Sequence, residues 1–592
     1  MIAIVAVAGV TFGTLGLGVW GMRFARSTSD LLVASRAVTP WWNAAAISGE
    51  YLSAASFLGV AGLELKLGVS ALWQAVGFTA GYLALLLFVA APLRRFGSYT
   101  IPDFVEARLR SVRLRSLASG IVLLIGVFYL VPQLKGAGIS LGVVTGAPYW
   151  VGVAIVGGVV AVNVGLGGMR GITYVQAFQF WLKVFAIAVP ACMLLVHFDG
   201  LPGQATIFHN EFPHAGSHGL RITLGARQQV EFPTAAHYTI NGNARVAAAG
   251  HTVTLATGHL YLAPETAVPV ATGTDALRGS DWSRPVWNNG ESTPLFVYSL
   301  LLATFLGTMG LPHILVRFYT NPDGRAARHT TVRVIGLLGI FYAFPAVYGA
   351  LGRVFTPQLL ITGETDTVVL RLPQAAWPGV VGEALGAIVA AGAFAAFLST
   401  SSGLLVSIAG TLSHDVWPSI AREAPTTVAT RRRRFRLAAT AGMLVPVGLA
   451  FWAQGVDIAV LVGWAFVIAA STFCPTFLLG IWWTRLTARG AAWGMIAGAT
   501  VATGAIFLDL ALGEPGGVGG ALLAQPAVIS VPIAFATMIG VSLRAGEHPR
   551  VEAEMLALHA PEGLGFDERE HVPFPLGSSS RPTLGASDLG LP

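Results

Sequence analysis

The feature that most constrains this chain is a series of apolar runs near 20 residues long, repeated from one end to the other. A run of that length matches the hydrocarbon thickness of a bilayer at the rise of an α-helix. Thirteen candidate spans begin near residues 1, 41, 71, 117, 149, 173, 294, 333, 382, 436, 456, 490 and 522. Only 11% of the residues are charged, against about 25% in soluble domains. Backbone groups in lipid must bond internally, so this pattern predicts an all-α polytopic membrane protein. Both cysteines, Cys192 and Cys474, sit inside apolar runs, which excludes a disulfide framework or a cysteine-rich metal site. The net charge of +7 does not point to nucleic acid, because the arginines fall in short loops between apolar segments. The first run lacks a basic start and a cleavage site and reads as a retained helix.

Alternate loops carry the arginines: Arg94, Arg95, Arg108, Arg110, Arg113 and Arg115; Arg317, Arg325, Arg328 and Arg333; Arg431 to Arg434 and Arg436. The intervening loops hold little beyond Lys66, Arg353 and Arg371. The positive-inside rule puts the rich side in the cytoplasm, with the N-terminus outside and the C-terminus inside, in the plasma membrane. The expected divisions are a first helix and loop (1–40), two five-helix stretches (41–197 and 294–483), an external insertion (198–293), two further helices (484–544) and a disordered cytoplasmic tail (545–592). In the insertion HTVTLATGHLYLA alternates like strands, so a β-rich cap is expected. Its six histidines, His209 to His259, are irregularly spaced and read as solvated loop.

Three stretches are too polar for plain spans. Residues 389–417 carry four successive hydroxyls, Ser399, Thr400, Ser401 and Ser402. Uncharged oxygens at membrane depth suit a small hard cation, and equally suit bonding to helix carbonyls or to a neighbouring helix. The second span, WWNAAAISGEYLSAASFLGVAGLELKLG, interrupts itself with Gly49, Glu50, Ser53, Ser56 and Gly59. The seventh, TFLGTMGLPHILVRF, does so with Gly307, Gly310 and Pro312. Broken membrane helices occur where they line a protected cavity, and their freed carbonyls can ligate a cation. The two interruptions open the two five-helix stretches, as an inverted repeat would have them. Glu50 needs a partner or a proton at that depth. Lys135 and Lys183 are the available cations, each also readable as a structural ion pair or a snorkelling amine. Gln133 adds a polar contact near Lys135. His313 and His414, near helix ends, read as solvated or capping, Asp415 as binding neighbouring loops, and Arg431 to Arg434 as an orientation signal. No phosphate-cradling loop, zinc pattern or nucleophile elbow appears.

The segments GEYLSAASFLGVAG, SYTIPDFVEARL, GLPHILVRFYTNPDGRAAR, SHDVW and GWAFVIAASTFCP resemble the sodium:solute symporters, and among them the bacterial cation/acetate symporters. The resemblance covers about residues 30 to 545 apart from the insertion. It implies a leucine-transporter-like fold with a five-plus-five inverted repeat, flanking helices and alternating access. It also implies a sodium site made by the carbonyls of Gly49 and Leu52 and the hydroxyls of Ser399 and Thr400. The substrate would be a short-chain monocarboxylate (acetate, propionate or pyruvate) near the two breaks; the residues themselves offer Ser53, Ser56, Lys135 (as a cation for its carboxylate) and the backbone around Gly307 and Gly310 as its contacts. Two departures stand out: Ile172-Thr173-Tyr174 holds no acid where an aspartate is common at the start of the sixth span, and Lys135 lies outside the family pattern, with Lys183 adding a second buried cation. Proton coupling through Glu50 or a lysine is therefore the alternative to sodium, since a buried amine can take a sodium ion's place in this fold. No cofactor, nucleic acid or obligatory protein partner is implied beyond the bilayer and a small solute. A sensor lacks a signalling domain in the tail, and an enzyme lacks a catalytic constellation.

Overall fold

The computed structural model describes residues 1–21, 33–198, 212–274, 276–277, 279–286, 292–418, 427–513, 516–545 and 551–561. Eleven described helices are long and apolar enough to cross a membrane, and twelve if the bent pair Gly517–Ala524 and Ala527–Leu543 counts as one span. The difference from thirteen lies at the second span. Its halves, Pro40–Tyr51 and Val60–Leu67, are each too short to qualify. The second half runs into an apolar stretch, Ala55–Phe96, of 42 residues. At 1.5 Å per residue that stretch gives about 20 Å before Gly68 (residues 55–67), completing the pass begun at Pro40, and about 42 Å after it (residues 69–96), enough for a second pass. Its turn is at Gly68, with φ of +63°, where a Cβ would stand 1.8 Å from the Trp282 carbonyl oxygen.

The predicted interruptions are both real. The first broken helix stops at Tyr51, passes through Leu52 (φ −72°, ψ 83°) and resumes as a π-turn, Ala55–Gly59, before Val60–Leu67. The second runs Ser292–Gly310, breaks at Leu311 (φ −76°, ψ 113°) and resumes as Pro312–Phe318. Proline at the first position of the resumed helix loses no bond it would have made. The hydroxyl-bearing helix, Val380–Gly410, packs along Tyr149–His197, which also holds the first broken helix. The second broken helix lies along Ile458–Trp482. Gly307 and Gly310 allow that approach: a Cβ on them would stand 2.5 Å from Phe466 O and 2.3 Å from Ala469 O. Nearly every residue from Leu385 to Gly410 is buried, so the centre of the bundle is protein, not lipid.

The insertion holds strands β1 (Leu220–Leu224), β2 (Gln228–Glu231), β3 (Ala236–Ile240), β4 (Asn243–Ala247), β5 (Thr252–Leu255), β6 (Gly258–Leu262) and β7 (Val270–Ala271), paired as two antiparallel sheets in the orders β1-β6-β3-β4 and β5-β2-β7. The alternating stretch supplies β5 (Thr252–Leu255) and β6 (Gly258–Leu262). Leu224, Val230, Phe232, Tyr238, Leu260 and Leu262 form its own core, joined from the bundle by Ile361. Among the described insertion histidines none joins a metal-ligand cluster, and His209 lies outside the described residues. The expected disordered tail needs one correction. Glu552–His559 is a helix, docked by Arg110 Nε on Glu554 at 2.8 Å and by His559 Nε2 on Ile481 O at 2.8 Å. Residues 562–592 of that tail lie outside the described residues.

Candidate functional site: an oxygen cage at the first helix break

Where the first broken helix leaves α-geometry, its carbonyls lose their usual intrahelical donors. The Ala54 N–H is taken by Gln133 Oε1 at 2.8 Å. The Gly49 and Leu52 carbonyls turn towards Tyr149–His197, and Lys183 of that helix donates to both, to Leu52 O at 2.8 Å. The same amine donates to Ser399 Oγ at 2.6 Å. Ser399 Oγ in turn donates to Gly49 O at 2.8 Å, and Thr400 Oγ1 to Glu50 O at 2.5 Å. The four residues singled out for a cation are thus brought together, and the Lys183 amine sits among three of them. Lys183, Ser399 and Thr400 are wholly buried. Three oxygens there take the place of water around the amine nitrogen. Gly49 permits the packing: a Cβ would stand 2.3 Å from Gln176 O.

Glu50 has its partner, but not a lysine. Arg317 Nε donates to Glu50 Oε2 at 2.6 Å. The same guanidinium reaches Thr173 Oγ1 at 2.8 Å and Gln176 Oε1, while Asn43 Nδ2 donates to Arg317 O at 3.1 Å. This corrects the reading of Arg317 as a loop arginine: its residue is 1% exposed. Gln176 continues the network to Ser399 O at 2.7 Å. Thr173, which stands where an aspartate was expected, therefore accepts from an arginine. Gly403 makes room for the carboxylate, since a Cβ there would stand 1.9 Å from Glu50 Oε1.

The residues expected around a substrate divide. Ser56 shares a 2.7 Å hydrogen bond with Tyr342, and Ser53 Oγ accepts from Ala55 N at 3.2 Å. Lys135 does not reach Glu50. It donates to Val456 O and lies 3.5 Å from Asp366 Oδ2, which accepts from the Ile458 N–H at 3.1 Å. Burial raises the Asp366 carboxyl above its usual range, opposed by the Lys135 charge. Lys66 pairs with Asp457 nearby. These contacts close the end of the bundle that carries the β-sheets. Gly307 and Gly310 spend their missing side chains on packing against Ile458–Trp482. His313 is neither solvated nor capping: it is 2% exposed and makes no cap bond. At the arginine-rich end, Arg115 bonds Asp103 at 2.8 Å, Glu106 at 2.8 Å and Asp415 at 2.5 Å, and His414 Nε2 lies 3.2 Å from Asp103. Asp415 does bind a neighbouring loop, as expected. Burial works to raise the Asp103 carboxyl, but the His414 and Arg115 charges hold it below its usual range.

Two broken helices that meet through the buried Glu50–Arg317 pair, held by long flanking helices, give a membrane protein of the leucine-transporter-like fold. The model of the sodium:solute symporter family matches residues 31–217 and 263–498. The chain belongs to that family. It is 30% identical over 530 residues to an uncharacterized symporter, YwcA, of Bacillus subtilis, covering 88% of this chain and 90% of that one. It is 30% identical over 564 residues to a monocarboxylic acid transporter of Corynebacterium glutamicum, covering 92% and 93%. In fold it is similar to a Na+-coupled sialic acid symporter in a substrate-bound outward-open state, with a TM-score of 0.67 at 14% identity, over 93% of this chain and 99% of that one. The nucleobase-cation symporter Mhp1 in a closed conformation aligns with a TM-score of 0.52 at 12% identity, over 90% and 99%.

Proposed function

We propose that this protein imports a short-chain monocarboxylate, such as acetate, propionate or pyruvate, together with a cation by alternating access. One observation supports the cation half of the reading: the cage of Gly49 O, Leu52 O and Ser399 Oγ is closed around the Lys183 amine, so three oxygens already converge on one small polar centre. Family membership supports Na+ as the travelling ion. In that reading Gly49 O, Leu52 O, Ser399 Oγ and Thr400 Oγ1 hold it when Lys183 is withdrawn. The name of the Corynebacterium relative supports the substrate class. Ser53, Ser56, Lys135 and the backbone from Gly307 to Gly310 are the contacts proposed for it, and no bond of the substrate is made or broken. The arginine-rich end faces the cytoplasm and the β-sheets face outside, with the N-terminus outside. One Na+ per monocarboxylate is electroneutral, and each further Na+ adds about 2.3 kcal/mol of drive per 100 mV.

A second reading, proton coupling, is favoured by the position of Lys183, whose amine occupies the cage that sodium would need. Uptake of labelled acetate into proteoliposomes separates the two, with a sodium gradient and a proton gradient imposed one at a time. Accumulation under sodium alone supports the first reading and under protons alone the second. Accumulation under neither removes the monocarboxylate assignment.

A further inference from the structure

His313 is the first side chain after the proline that restarts the second broken helix. It is 2% exposed, and among the described residues neither ring nitrogen has a hydrogen-bond partner. An imidazole carries at least one N–H donor, and buried polar groups are almost always paired. An unpaired one in a central position is therefore expected to have a partner that comes and goes. The surroundings indicate what kind. The Tyr129 ring lies edge-on to the imidazole at 5.1 Å, and Phe466 lies 5.8 Å beyond Tyr129. Tyr51 lies 6.1 Å from Phe466 and 4.9 Å from Tyr82, whose buried hydroxyl also has no partner among the described residues. The cluster offers aromatic walls and unpaired donors, the chemistry of a small anion with a short apolar tail. Its other polar groups are already engaged: the Tyr51 hydroxyl meets Thr308 Oγ1 at 2.8 Å, and Ser56 meets Tyr342.

We propose that His313 binds the substrate, its ring N–H donating to the carboxylate of the monocarboxylate while Tyr129 and Phe466 wall the alkyl tail. The assignment rests on the monocarboxylate reading above. It adds His313 to the contacts proposed there, among which Lys135 is also bonded to Asp366 and to the Val456 carbonyl.

The test is the concentration dependence of labelled acetate and propionate uptake by wild type, His313→Leu and His313→Gln. A hydrogen bond to a charged group is lost in the leucine variant, so its KM rises about tenfold to a hundredfold with kcat much less affected. Glutamine keeps an N–H donor and stays within about threefold of the wild-type KM on the same scale. Protection of the purified protein from heat unfolding by propionate gives the same ranking without transport, and serves if His313→Leu is poorly folded. Wild-type KM and protection midpoint in both variants overturn the proposal, as does a loss confined to kcat. If wild type itself neither takes up nor is protected by either acid, the monocarboxylate reading fails and this assignment fails with it.

Discussion

The amine of Lys183 lies 2.6 Å from the hydroxyl oxygen of Ser399, joining two buried helices that also meet through Gln176 and the Ser399 carbonyl. Two unit charges about 3 Å apart repel by about 5 kcal/mol at an effective dielectric near 20. A sodium ion and the Lys183 ammonium therefore exclude one another from this cage. On the sodium reading proposed above, the ion would enter only as the lysine leaves or gives up its proton.

Removing the amine should open the cage to sodium. Lys183→Ala is expected to show a sodium-dependent rise in melting temperature larger than that of wild type. At 100-fold excess over the dissociation constant the stabilisation is about 2.7 kcal/mol. Thermal unfolding of the two purified proteins across a sodium series measures it, and equal shifts in both would contradict the exclusion.

Arg317 and Glu50 should prove mutually dependent. Arg317→Met leaves a buried carboxylate without its cation and is expected to cost about 3–5 kcal/mol. Adding Glu50→Gln to it should restore a large part of that loss, because the uncompensated charge goes too. A double-mutant cycle by thermal or denaturant unfolding reads the coupling. Strict additivity would mean that the pair contributes nothing.

Gly403 should not tolerate alanine. The new methyl would stand 1.9 Å from Glu50 Oε1, forcing the carboxylate off Arg317. Gly403→Ala is expected to lose roughly 1–3 kcal/mol or more through overpacking, together with most uptake. Gly504→Ala, where nothing lies within 4 Å, should be neutral or slightly stabilising. Melting curves and uptake of the two variants make the comparison.

The orientation is testable without transport. On a background lacking Cys192 and Cys474, Val246→Cys places a thiol on an exposed β-strand position, and Val112→Cys places one at the arginine-rich end. A membrane-impermeant maleimide added to intact cells is expected to label the first and spare the second. The reverse pattern would invert the topology.

Much of this was legible in the chain itself. Apolar runs of bilayer length gave the spans, and Gly49 with Ser53, and Gly310 with Pro312, marked the two breaks through their poor fit to a continuous helix. Alternation in residues 251–263 disclosed β5 and β6. Ser399 and Thr400 were conspicuous as hydroxyls among alanines and leucines. Arg317 was not legible. It stands near Arg325 and Arg328 like any loop arginine, and its partner Glu50 is 267 residues away. The partners of Lys183 were hidden for a related reason: two of them are main-chain carbonyls, which every residue has. His313 looked like a helix-end histidine, and only its burial without a partner sets it apart.

The central claim is that the cage formed by Gly49, Leu52 and Ser399, with Thr400 beside it, is where the coupling ion acts. Ser399→Ala/Thr400→Ala in proteoliposomes tests it most directly, comparing gradient-driven accumulation of labelled acetate with acetate exchange at equal ion concentrations on both sides. Accumulation is expected to fall at least about tenfold, the equivalent of about 1.4 kcal/mol, while exchange persists. Accumulation at the wild-type level under the gradient that drives the native protein would contradict it and leave the two hydroxyls as helix packing.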